Sequence, residues 1–160
     1  MIRVGSGVDV HAFEDGIPLW LGGVLIPHPR GLAGHSDGDA AIHALIDALL
    51  GATARGDIGA WFPSTDERWR GARSADMLRH VWTSLQSDGW RLENADLTIV
   101  AAQPRLAVYR APMQSALAAS LGCAVDRISI KATTTDGLGA LGRAEGILAS
   151  AVALLVRDAD

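Results

Sequence analysis

The sequence predicts an α+β or α/β domain in which helices cover a β-sheet. Three observations carry that expectation. Alternating, strand-like runs are interleaved with helix-period segments along the whole chain. The 160 residues, 49% of them apolar, suffice for one buried core. No linker-like composition divides them, so residues 1–160 are expected to form a single domain.

Ile2 to Phe13 alternates as a strand, and Gly5 and Gly7 within it mark a close backbone approach or a bulge. Leu19-Trp20-Leu21 and Val24-Leu25-Ile26 flank Gly22-Gly23, a two-residue hairpin signal ended by Pro27 and Pro29. Gly31 to Gly38 reads as a loop. A helix follows from about Asp39 to Thr53, with Asp39 as N-cap or first-turn acid and a stop near Gly51 or Gly56. Gly56-Asp57-Ile58-Gly59 and Trp61-Phe62-Pro63 read as an irregular segment, either a lid on the core or a substrate-binding loop. Ser74 is placed to cap a second helix, in which Met77, Leu78, Val81, Trp82 and Leu85 recur at helical spacing up to Gly89. Leu92 to Ala101 is a strand broken by Pro104, and a third helix spans Tyr109 to Leu121 with Gly122 as its stop. Val125 to Lys131 is the next strand, leading into the polar cluster Lys131-Ala132-Thr133-Thr134-Thr135-Asp136. Ile147 to Val156 is ambiguous, since its alanines favour helix while an unbroken apolar run also suits a doubly buried strand.

Composition narrows the function. A net charge of −4 argues against a nucleic-acid partner, because phosphate backbones are met by basic faces. The single cysteine, Cys123, allows no intrachain disulfide and fits a reducing cytoplasm. No basic-then-apolar leader opens the chain and no apolar run reaches transmembrane length, so a cytoplasmic protein without a membrane partner is expected.

The chemistry gathers around His35-Ser36-Asp37-Gly38-Asp39, which runs directly into the helix that carries His43. A histidine on the inner stripe of a helix is more often hydrogen-bonded in a core than ligating. Here Val8-Asp9-Val10-His11 alternates, so Asp9 and His11 project from one face of a strand and offer matching ligands. One carboxylate and two imidazoles with a fourth position open is the donor set of a catalytic Zn²⁺ site, where structural zinc sites are closed and thiolate-rich.

Gly7-Val8-Asp9-Val10-His11-Ala12-Phe13, His35-Ser36-Asp37-Gly38-Asp39, Gly56-Asp57-Ile58-Gly59, Phe62-Pro63 and Lys131-Ala132-Thr133-Thr134-Thr135 occur in the order seen in the 2-C-methyl-D-erythritol 2,4-cyclodiphosphate synthase family. The chain resembles that family over essentially its whole length. The resemblance implies a single catalytic domain of the α+β class, a mixed β-sheet covered on one side by α-helices, with the sheets facing the axis of a homotrimer and active sites between subunits. It makes the terminal segment a strand. The implied activity is that of a metal-dependent phosphorus–oxygen lyase of the non-mevalonate isoprenoid route, converting 4-diphosphocytidyl-2-C-methyl-D-erythritol 2-phosphate to the 2,4-cyclodiphosphate with release of CMP.

The resemblance also distributes roles. Asp9, His11 and His43 match zinc ligands, Asp9 and His11 meeting substrate as well. His35 and Thr134 match the residues that stabilise the transition state, with Ser36 beside them on the phosphate. Asp57, Ile58 and Gly59, with Phe62 and Asp66, match the segment that binds the methylerythritol unit. Ala101, Pro104, Arg105, Leu106 and Ala107 match the cytidine pocket, and Thr133, Thr134, Thr135 and Asp136 the diphosphate side. The family commonly has Glu after the three threonines, holding Mg²⁺ or Mn²⁺; here the shorter Asp136 stands there, suited to a Mg²⁺ that keeps several waters. At the trimer axis, members that take an isoprenoid diphosphate use a Phe, an Arg and a Glu, where this chain has Ala140, Arg143 and Ser150. Arg143 can still meet a phosphate. Two other functions share parts of this pattern: a metal-dependent phosphohydrolase, and a catalytically silent trimeric scaffold.

Overall fold

Two glycines decide how the fold is assembled. Strand β1 (Ile2–Asp15) and helix α1 (Ala40–Ala52) lie against each other so closely that a Cβ on Gly5 would stand 2.0 Å from the Ala48 carbonyl oxygen, and one on Gly7 2.1 Å from that of Ala44. Only glycine permits that approach. The contacts also fix a register: moving up β1 from Gly5 to Gly7 moves down α1 from Ala48 towards Ala44, so the next inward residues of the strand meet the helix's first turn. Gly5→Ala is therefore expected to cost at least ~3 kcal/mol, the upper part of the range for overpacking, because backbone and not a flexible side chain stands in the way. Chemical denaturation of the two proteins measures it.

The structure, a computed structural model, describes residues 1–158; the last two residues of the expected domain lie outside the described residues. After β1 come β2 (Leu19–Leu21), β3 (Val24–Ile26) and β4 (Arg30–Leu32), then α1, α2 (Ile58–Trp61) and α3 (Ser74–Ser87). The rest is β5 (Arg91–Val100), α4 (Arg110–Leu121), β6 (Ile128–Thr133), α5 (Gly139–Gly142) and β7 (Gly146–Val156). Five strands form a mixed sheet in the order β4-β1-β7-β5-β6, with β5 and β6 parallel and the other pairings antiparallel; β2 and β3 form a separate hairpin. This is the α+β fold expected from the alternation of elements.

The alanine-rich final segment is β7, the central strand, paired to β1 on one side and β5 on the other. Its Ala149, Ala151 and Ala153 sit beside Asp9, Gly7 and Gly5 and are fully buried under α1. Small residues are needed where a helix rides this close to a sheet, and that requirement overrides helix propensity. The opposite face of β1 and β7 is open and largely apolar, interrupted by Ser6 and Ser150: Ile2 is 71% exposed, Val4 67%, Val8 59%, Val10 55% and Val152 44%.

Helix α1 is almost wholly buried, with Leu45, Leu49 and Leu50 in the core. Asp39 caps it, accepting from the Ile42 N–H at 3.0 Å, and its carboxylate also takes the N–H groups of Gly22 at 2.8 Å and Gly23 at 2.7 Å. The hairpin turn, with φ of 58° and 78° at those glycines, is thereby bolted to the helix end. Helix α3 packs on α1 through Met77, Leu78, Val81 and Leu85, and the Trp82 indole N–H donates to the Leu121 carbonyl at 2.6 Å. Gly122, at φ 62°, ends α4 as its spacing predicts.

Several boundaries differ from the sequence expectation. Residues 30–32 of the expected turn and loop become edge strand β4, because Gly31 slips beneath the Pro18 carbonyl, where a Cβ would stand at 2.2 Å. Strand β6 starts at Ile128 and runs on to Thr133, since Val125–Arg127 forms a 3₁₀ turn before the parallel pairing with Ala95 begins. Gly51 lies within α1, which Thr53 caps. The irregular segment contains the one-turn helix α2, capped by Asp57 through the Ala60 N–H at 2.9 Å.

Candidate metal and phosphate site

The register set by Gly5 and Gly7 brings Asp9 and His11 opposite His43 in the first turn of α1. His11 Nε2 lies 2.8 Å from Asp9 Oδ2, His43 Nδ1 lies 3.1 Å from the same oxygen, and the two ring nitrogens are 3.1 Å apart. These sides approach the about 3.4 Å that separates donors around a tetrahedral zinc with bonds near 2.1 Å. Three donors from two elements thus point at one spot, and the chemistry of the set, one carboxylate with two imidazoles, fits a divalent cation.

Each imidazole is held from behind. His11 Nδ1 donates to the Ala33 carbonyl at 2.5 Å, which leaves Nε2 to face the cluster. His43 Nε2 meets Ser74 Oγ at 2.9 Å and Ser36 Oγ at 3.0 Å. Burial alone would raise the Asp9 carboxyl, but the hydrogen bond from His11, together with the neighbouring His43 ring, outweighs it and holds that carboxyl well below its usual 3.8. The hydrogen bond to Asp9 raises His11 above its usual 6.5, against the opposing effect of burial.

The sign of the pH dependence follows. In the metal-free chain, Asp9 contributes stability that is present above its unfolded value near 3.8 and lost as pH falls through its depressed folded value. His11 contributes stability that is full below 6.5 and lost as pH rises through its raised folded value. A cation must displace the His11 proton, so its affinity falls with acidification, beginning at a higher pH than for an ordinary imidazole. The thermal upshift given by added zinc is expected to grow between about pH 6 and pH 8. An upshift equal at both ends of that range would contradict the assignment of His11.

The cluster forms one end of a cavity of about 220 Å³. His35 and Ser36 line it from the loop before α1, and Ile58, Gly59 and Phe62 from α2 and its exit. Among the described residues, His35 Nε2 is enclosed without a hydrogen-bond partner, a deficit that a ligand oxygen in the cavity would remove. Trp69 and Met77 complete the wall, Trp69 packing edge-on to Phe62 at 4.6 Å between centroids. Asp47, one turn beyond His43, accepts the Ile58 N–H at 2.7 Å and so fixes the start of α2.

Asp57 and Asp66 do not line this cavity. The Asp57 carboxylate is taken up as the α2 cap and that of Asp66 by the Arg68 guanidinium at 2.6 Å. A second cavity, of about 300 Å³, joins Ala101, Pro104, Arg105, Leu106 and Ala107 to Thr133 and Thr134. It shares no lining residue with the first. Beyond it Thr135 Oγ1 donates to the Leu138 carbonyl at 2.6 Å, and exposed Asp136, at φ 53°, accepts from Thr134 Oγ1 at 3.3 Å. Arg143 is exposed and paired with Glu145 at 2.6 Å.

Sequence patterning alone passes over four of these residues. Ser74 fits the pattern of a helix cap, yet α3 begins at Ser74 and its preceding residue, Arg73, makes no capping bond. The cap comes from the distant Asp37 carboxylate, which accepts the Ser74 N–H at 3.0 Å. Asp47 is marked only as an acid on an otherwise apolar helix, and nothing local marks Trp69 as a wall of the cavity.

A family model described as the YgbB family matches residues 2–156. The chain is 54% identical over 154 residues to the 2-C-methyl-D-erythritol 2,4-cyclodiphosphate synthase of Alcanivorax borkumensis, covering 96% of each chain. It resembles the bifunctional IspDF of Campylobacter jejuni with TM-score 0.94 and 40% identity, over 99% of its own length and 43% of that longer chain. It is also similar to a 2C-methyl-D-erythritol-2,4-cyclodiphosphate synthase solved in a form bound to CDP, with TM-score 0.88 and 43% identity, over 96% of this chain and 100% of that one.

Proposed function

Since the chain belongs to the YgbB family and has the function of a 2-C-methyl-D-erythritol 2,4-cyclodiphosphate synthase, we propose that its two cavities divide one substrate between them. The substrate is 4-diphosphocytidyl-2-C-methyl-D-erythritol 2-phosphate. Its 2-phosphate oxygen attacks the β-phosphorus of the diphosphate, the bond to the cytidyl phosphate breaks, and CMP leaves. The nucleophile belongs to the substrate, so the protein's work is to hold two mutually repelling phosphates together and to balance charge on the group in transit.

The single observation that supports this reading most is the convergence of Asp9, His11 and His43 at a cavity that His35, with its partnerless ring nitrogen, also lines. Asp9, His11 and His43 would hold Zn²⁺. When bound, that ion supplies Lewis-acid stabilisation and a clamp for a phosphate oxygen. His35 donates to the phosphoryl group from Nε2, and Ser36 adds its hydroxyl. The Ile58 and Gly59 segment receives the methylerythritol unit, with Phe62 excluding water beside it. Asp57, Asp66 and Arg143 are supporting residues in this reading, since the first two already serve local turns and the third an ion pair.

The cytidine is received by Ala101–Ala107, and Thr134 reaches the phosphates from the same side. The two cavities are separate within one chain, and the open apolar face of β1 and β7 offers a surface on which copies can associate. A homotrimer with each site between neighbours supplies both halves. Cytoplasmic residence accords with this chemistry; no helix of the described residues is long and apolar enough to cross a membrane.

Asp136 is proposed to hold Mg²⁺ or Mn²⁺ on the diphosphate, through water, from an exposed left-handed turn. Asp136→Asn keeps a residue that tolerates that backbone while removing the charge. It is expected to raise the Mg²⁺ concentration for half-maximal activity by about tenfold, ~1.4 kcal/mol, with zinc content unchanged. An unchanged Mg²⁺ titration would reject the role.

Incubating the purified protein with the cytidyl substrate and identifying the products by phosphorus NMR tests the whole reading. CMP with a cyclic diphosphate supports it. Inorganic phosphate or a hydrolysed diphosphate would make the protein a phosphohydrolase, and recovery of intact substrate would leave a silent scaffold.

A further inference from the structure

Behind His43 lies a hydrogen-bond chain that the cyclisation chemistry does not use. Ser74 is fully buried, and its Oγ stands 2.9 Å from His43 Nε2 while it also contacts Asp37 Oδ1. Asp37 is surrounded by donors: the Ser74 hydroxyl, the Ser74 N–H at 3.0 Å, the Asp39 N–H at 3.3 Å and the Arg73 guanidinium at 3.4 Å. Its carboxylate therefore acts only as an acceptor and takes the serine's one proton. Ser74 can then offer His43 nothing but a lone pair. This side of the ring directs His43 to donate from Nε2 and turns its Nδ1 lone pair towards His11 Nε2 at 3.1 Å; the Asp9 carboxylate, 3.1 Å from Nδ1 but already held by His11 at 2.8 Å, is the group that pulls the proton the other way. Ser36, 3.0 Å from Nε2, imposes no such direction, since its hydroxyl is free to donate or accept.

We infer that Asp37 and Ser74 are positioning residues that lock His43 into its metal-binding tautomer and orientation before any cation arrives. The geometry that carries this is directional: a carboxylate on the loop before α1 polarises a hydroxyl at the start of α3, and that hydroxyl aims a ring on α1. The loop before α1, α1 itself and the distant α3 are tied to one imidazole, and the Asp37 carboxylate caps α3 in the same contact. The inference rests on the reading of Asp9, His11 and His43 as the zinc site.

Asp37→Asn is the sharper variant. An amide must place its NH₂ on one side of the former carboxylate. The Oδ2 side faces the Ser74 N–H and Arg73, neither of which can turn into an acceptor. The Oδ1 side faces one fixed donor, the Asp39 N–H at a longer 3.3 Å, against two on the other, so the NH₂ is driven there, where the Ser74 hydroxyl can rotate, accept from it, and donate to His43 instead. That reverses the chain and puts the His43 proton on Nδ1, facing the cluster. Ser74→Ala removes the acceptor altogether, and Ser74→Thr restores a hydroxyl.

The test has two readouts on the full chain: zinc affinity, by competition with a chromophoric chelator, and the His43 tautomer in metal-free protein, from nitrogen-15 NMR. Wild type is expected to show the proton on Nε2. Asp37→Asn and Ser74→Ala should bind zinc about 10–100-fold more weakly, with the tautomer shifted towards Nδ1, and Ser74→Thr should recover most of the loss. Asp37→Asn carries the test alone should Ser74→Ala not fold. Wild-type zinc affinity in both variants, or weakened affinity with an unchanged tautomer, overturns the inference. Wild type and His43→Ala are titrated alongside: a wild-type chain that takes up no zinc brings down the zinc reading itself, and this inference with it.

Discussion

His43→Ala is expected to abolish zinc binding and CMP release together while leaving an assembled, folded protein. The imidazole supplies one of three donors, and the remaining pair, Asp9 and His11, are already engaged with each other at 2.8 Å. With His43 gone, a cation would have to be held by two donors from one strand, a site with no shape to it. Charge stabilisation from a bound metal amounts to several kcal/mol, and each 1.36 kcal/mol is a factor of ten in rate, so a fall of at least ~10³-fold is expected. The fold is less at risk. His43 sits at the helix end, and its removal orphans chiefly the hydroxyls of Ser74 and Ser36, of which Ser74 keeps Asp37 as a partner, for roughly 1–3 kcal/mol. Metal analysis, circular dichroism and product assay on the same preparation check all three statements. Full activity in a zinc-free variant would end the zinc role outright.

The candidate metal donors are legible in the sequence because each follows a local periodicity. Asp9 and His11 share a strand face by their spacing of two, and His43 falls one turn inside a helix announced by Asp39. Their convergence is less visible, and the structure shows its cause in Gly5 and Gly7, which bring α1 onto β1 in the register that the site needs. The support behind His43 is not legible at all. Asp37 and Ser74 meet across 37 residues, and no periodicity links a loop carboxylate to the first residue of a distant helix. The same limit applies to β7. The alanine-rich run from Ile147 to Val156 stays ambiguous between helix and buried strand until a helix is known to lie on it, after which small side chains become a requirement of the sheet. Propensity is a local quantity, and these residues answer to neighbours far away in the chain.

Val8→Glu is expected to separate the protein into monomers and to lower activity by at least ~10²-fold, although Val8 touches neither cavity. On β1 it points away from Gly7 and Asp9, onto the face where Val4, Val10 and Val152 are also exposed. An isolated valine on a surface is ordinary, but a contiguous apolar sheet face is the mark of an interface. A carboxylate there would be repeated by symmetry around a trimer axis, so three like charges would meet in a dry contact at a cost of several kcal/mol. Because the substitution lies on the far side of the sheet from α1, zinc content per chain should stay at the wild-type level. Sedimentation velocity, metal analysis and product assay separate these effects, and an active monomer would refute the shared site. A mixing experiment approaches the same point from within the assembled protein. His43→Ala spoils the metal half of each site and Thr134→Ala the other half, so each variant alone should be inactive. Co-expressed in equal amounts, they should form trimers in which about one site in four draws both intact halves from different copies. Activity returning on mixing requires sites built between subunits, and its failure to return in verified mixed trimers would place each site within a single chain.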